Sequence, residues 1–116
     1  MKIVVKNIFN SGQPRRFRDG SVRQTIQLET AVIGLGTYQP GWKWSIHAGA
    51  QTGKPSENHI GYIISGHMII SDSEGAEIKI GPEDGFEVMP GHDAWVVGNE
   101  PCVALDFTDT INKKTR

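Results

Sequence analysis

The chain has 116 residues with 12 basic and 13 acidic side chains, a formal charge of −1, 37% apolar residues, 14 glycines and 6 prolines. A chain of this length can close one hydrophobic core, and residues 1–116 read as a single domain whose core motifs lie in 42–108. So even a charge balance excludes the strong field that recruits a nucleic-acid backbone or an anionic membrane, so neither is an expected partner. The basic clusters PRRFR (14–18) and NKKTR (112–116) read as a solvated loop and a solvated tail.

MKIVVKNIF has too short an apolar run for a signal-peptide core, and nowhere do about 18 apolar residues run together. A single cysteine, Cys102, excludes an intrachain disulfide. The expected location is cytoplasmic. Short stretches that alternate or run apolar between turn signals point to an all-β chain. In chain order the expected strands are KIVVKNIF (2–9), one or two within VRQTIQLETAVIGLG (22–36), and WKWSIHAG (42–49). HIGYIIS (59–65), HMIISD (67–72), AEIKIG (76–81), FEVM (86–89), AWVVG (94–98) and CVALDFT (102–108) follow. The turns SGH, SDSEG, GPEDG, PGHD and GNEP are short and rich in Gly, Pro, Asp and Asn, which implies antiparallel neighbours in a sandwich or barrel.

From Pro55 to Phe107 the sequence resembles the cupins, and more narrowly the small single-domain bacterial cupins. HIGYIISGHMII carries the first part of the likeness; IKIGPEDGFEVMPGHDAW, with its variant second motif PGHDAW, carries the second. The resemblance implies a double-stranded β-helix, or jelly-roll barrel. It also implies a metal site built from two histidines one residue apart, a glutamate and a further histidine. Those positions fall here on Thr52, Lys54, His59 and Ala94, so only His59 carries a ready transition-metal ligand.

Other ligands must then be found. His92 lies two residues before Ala94 and shares its face if the strand is already extended there; the alternative is a turn histidine bonded to nearby backbone. His47 and Glu57 are the remaining candidates. In WKWSIHAG strand parity sets Trp42, Trp44 and Ile46 opposite His47, so His47 faces solvent or a cavity according to which face the tryptophans fill. His59 shares a face with Gly61 and Ile63, and Gly61 is expected to leave room beside the imidazole. His67 and Trp95 are assigned no ligand role, and Cys102 reads as a small buried hydrophobe.

Three functional expectations stand together. The first is a barrel that binds a small polar molecule, with a divalent transition metal (zinc, nickel, iron or manganese) held by His59 and His92 and with His47 or Glu57 as third ligand. The second is a metal-free ligand-binding or interaction module, suggested by Thr52 and Lys54 standing where histidines are usual. The third is a metal-dependent enzyme of isomerase or dioxygenase type, which rests on the resemblance alone and leaves its catalytic residues unassigned. His92 is the nearest group to an acid or base in the expected cavity. Exposed strand edges and the β-prone amino terminus point to a homodimer.

Overall fold

A computed structural model describes residues 3–10, 14–50, 53 and 58–109. Its described residues form nine strands: β1 (Arg15–Arg16), β2 (Val22–Gln27), β3 (Ala31–Tyr38), β4 (His59–Ser65), β5 (His67–Ser71), β6 (Glu77–Ile80), β7 (Gly85–Val88), β8 (Asp93–Val97) and β9 (Cys102–Asp109). Every pairing is antiparallel. The larger sheet has the order β1-β2-β3-β9-β4-β7 and the smaller β6-β5-β8. Two sheets packed on a shared core, with connections that pass between them, match the sandwich expected from the turn pattern and the jelly-roll arrangement that the resemblance implies. Among the described residues no helix is long and apolar enough to cross a membrane.

Two expected strands are not strands. Residues 3–7 run without sheet pairing and 8–10 form a turn. A β-prone segment needs a partner edge, and Arg15–Arg16 occupies the edge of β2 at Val22 and Arg23. The PRRFR cluster therefore contributes a short edge strand as well as loop. The amino-terminal segment is instead tied at one point, where Lys6 Nζ donates to the Gln27 carbonyl over 2.5 Å.

In WKWSIHAG only Lys43 bridges a strand, at Trp95, and Ser45–Gly49 wind into a wide helical turn. Asp93 Oδ1 accepts the Ser45 N–H at 3.0 Å, and the Lys43 carbonyl accepts from Ile46 and His47. Trp44 and Ala48 are one helical turn apart and both pack on the core, while Ile46 stands out at 61% exposure. Strand parity therefore does not govern this segment.

The core lies between the sheets. Ile63 and Cys102 are wholly buried and pack with Phe17, Trp42, Met68, Ile80, Ala94, Val96 and Ala104. Tyr38 lies 4.3 Å from Trp42, centroid to centroid, and covers Gly36, whose Cβ would meet the phenol ring at 2.3 Å. Buried Gly34, Gly36, Gly61, Ile63 and Ala104 mark the inner face of the larger sheet.

Candidate functional site

The link between β7 and β8 makes the site. His59 opens β4 and pairs across the ladder with Val88, the last residue of β7. The chain then leaves the larger sheet through Met89-Pro90-Gly91, with Gly91 at φ 88°, and enters the smaller sheet at Asp93. His92 sits on that crossing. One neighbour of His59 in the ladder thus leads directly to His92, and the two rings meet with centroids 5.3 Å apart and planes at 60°.

His92 is buried, at 7% exposure, and its Nδ1 lies 3.0 Å from the Met89 carbonyl oxygen. A carbonyl only accepts, so in this contact Nδ1 carries the hydrogen. The ring is bonded to nearby backbone, as in the turn-histidine reading, and it is buried. That backbone bond fixes ring orientation and tautomer, as a second-sphere partner does for a ligating imidazole.

Phe86, on β7, closes one side of His59 edge-on at 5.9 Å. Its ring occupies the space over Gly61, where a Cβ would stand 2.2 Å from Phe86 Cζ. The room expected beside His59 is therefore filled by Phe86. Ala94, at the family's second-motif histidine position, is buried in the core opposite Ile70.

His47 is held elsewhere. Its Nδ1 accepts the Lys43 N–H at 3.0 Å, since the Lys43 carbonyl already takes two backbone donors, and its ring stacks on Trp42 at 6.5 Å. It lines an open cleft of about 490 Å³ with Arg18, Ile46 and Ala50. Glu57 lies outside the described residues, as do Thr52 and Lys54. Among the described residues no three His, Cys, Asp or Glu side chains gather to hold a metal ion. The structure thus joins His59 with His92 and leaves His47 apart.

A second polar group was not foreseen from the sequence. Arg23 on β2 grips Asp106 on β9 with two hydrogen bonds, of 3.1 Å from Nε and 2.6 Å from a terminal nitrogen. The pair reaches across β3 over Gly34, where a Cβ would come within 2.6 Å of both side chains. Burial alone would lower the Arg23 pKa, but the hydrogen bond and charge of Asp106 outweigh it and raise it. Asp106 is also the ladder partner of Gly61, two residues from His59, which makes it a diagonal neighbour at about 7–8 Å between Cα atoms. The only sequence signal was a glycine flanked, two strands apart, by opposite charges.

Cys102 is wholly buried, and burial pushes its thiol up to about 11, away from nucleophilic use. His67 is exposed on the β4–β5 hairpin, its ring over Gly81. Trp95 is half-buried with Lys43 Nζ 4.9 Å from its ring centre.

No protein family profile and no curated protein match the sequence. Solved structures do match the fold. An RmlC-like cupin from Shewanella frigidimarina superposes with a TM-score of 0.67 at 12% identity, covering 99% of this chain and 97% of that one. A cupin superfamily protein from Desulfitobacterium hafniense gives 0.59 at 17% identity, with 84% and 82% covered. The oxalate decarboxylase of Lactobacillus farciminis gives 0.65 at 14% identity over 93% of this chain and 34% of its own. The fold is that of the cupin superfamily, and identities this low carry the likeness no further than the fold.

Proposed function

We propose that the protein binds a small polar molecule between its sheets, beside His59 and His92, and that a divalent transition metal held by those two imidazoles takes part. The observation that carries this is the ring pair itself, 5.3 Å apart with His92 buried and oriented through Nδ1. Two imidazoles that share one tetrahedral ion at about 2.0 Å per bond stand roughly 5 Å apart between centroids. Two donors do not close a site, and Glu57, two residues before His59, is the proposed third. When bound, such an ion would act as a Lewis acid towards an oxygen-bearing ligand.

The test is elemental analysis of untagged protein with His59→Ala and Glu57→Gln beside it. One metal per chain in the parent and a fraction of that in both variants supports the metal reading. Equal and substoichiometric metal in all three would reject it. The second reading is a metal-free binding module, suggested by Thr52 and Lys54 standing in the sequence where the resemblance places histidines. There the Arg23–Asp106 pair and the imidazoles supply neutralised, hydrogen-bonding walls for an uncharged polar ligand. Cytoplasmic residence of a chain with one buried thiol, and self-association as a homodimer, complete the proposal.

A further inference from the structure

The outer face of the larger sheet is apolar where a solvent-facing sheet is normally polar. Ladder register sets it out in rows. Ile26, Ile33, Phe107 and Ile60 form one, and Gln24, Leu35, Leu105 and Tyr62 the next. Val22, Thr37 and Val103 form a third, with Ile64 beside it in the bulge of β4. The residues that alternate with these, from Gly34 to Ile63, point into the core, so the rows point out. Within the rows Ile60, Tyr62, Ile64 and Phe107 are 40 to 53% exposed. The rows named carry no charge; charge enters at the two margins of the sheet, with Glu87 opposite Ile60 on the edge strand β7 and Arg16 opposite Val22 on the edge strand β1.

The amino-terminal arm supplies a second apolar surface. Val4 and Ile8 are half-buried, whereas Ile3, Val5 and Phe9 are 67 to 85% exposed. Lys6 fastens the arm to Gln27, at the end of β2 next to Ile26. Together these seven exposed side chains present roughly 800 Å² of apolar surface, at about 200 Å² for a large side chain. A stable interface buries about 800 Å² on each partner.

We infer that this outer face, with the arm at its margin, docks a second copy of the same chain. This rests on the proposed self-association and gives it a surface. A second copy fits on three grounds: the exposed apolar area is about one half of a standard interface, the central rows of the face are uncharged, and the chain's charge of −1 opposes self-pairing little. In a two-fold arrangement each face lies on the other, and each arm reaches along the margin of its neighbour.

Light scattering on the full chain at about 50 μM, with the doubly substituted Ile60→Asp/Tyr62→Asp chain and an Ile78→Asp control, tests it. Ile78 is as exposed as these residues but lies on the smaller sheet. The expected masses are twice the 12.7 kDa of one chain for the parent and the control, and one chain for the double variant. A dimeric double variant would refute the surface while leaving self-association standing. A monomeric parent would refute both. Should the double variant not fold, Val5→Asp in the arm replaces it, with weakened dimerisation expected and an unchanged dimer overturning the inference.

Discussion

Gly66 turns β4 into β5 at φ 77°, and a Cβ there would stand 2.2 Å from the Pro101 carbonyl oxygen and 2.6 Å from Cys102 Cα. Both neighbours are backbone and cannot yield cheaply. Gly66→Ala is expected to cost about 3 kcal/mol or more in urea unfolding. Gly75→Ala, at φ 89° in open space, should cost only about 1 kcal/mol. Equal losses would show that φ alone matters. Burial also pushes the Tyr38 phenol from 10.0 to about 12. Between those values the unfolded chain has released the proton that the folded chain retains. The contribution is therefore full below pH 10 and declines as pH rises towards 12, by about 2–3 kcal/mol in all. Cys102, raised by burial from 9.0 to about 11, adds a loss of the same sign beginning near pH 9. Unfolding midpoints from pH 8 to 12 should fall less steeply above pH 10 in Tyr38→Phe than in the parent; parallel curves would contradict this.

At the scale of elements, the strand positions from β2 onward were legible, save whether 22–36 held one strand or two, because turn chemistry and alternation agreed there. The two departures have one cause: a strand needs an edge, and sequence does not show where edges lie. For 2–9 the β2 edge was partly taken by Arg15–Arg16. For 42–49 the alternating tryptophans imitated a strand, while Asp93, 48 residues away from Ser45, capped a helical turn. Asp93→Ala should cost about 1 kcal/mol, as loss of a helix cap does, and should broaden the amide signals of 45–49. Unchanged stability and spectra would mean the turn is held by Trp44 and Ala48 packing alone. The site was half legible. His59 fell on a ligand position of the resemblance and His92 two residues before another, and the β7–β8 crossing brings the two rings together, whereas Phe86 and the Arg23–Asp106 pair depend on which glycines give up their side-chain space.

For the whole molecule, two sheets enclose a core that is solid around Ile63 and Cys102 and polar where His59, His92 and Asp106 lie. The proposed function requires His59 and His92 to act as one unit in ligand or metal binding. Long-range ¹H–¹⁵N spectra of the four histidines during zinc titration of untagged protein test this most directly. The ring nitrogens of His59 and His92 are expected to shift together and saturate at one equivalent, while those of His47 and His67 stay in place. Four histidines shifting alike and without saturation, or His59 and His92 unmoved, would contradict it.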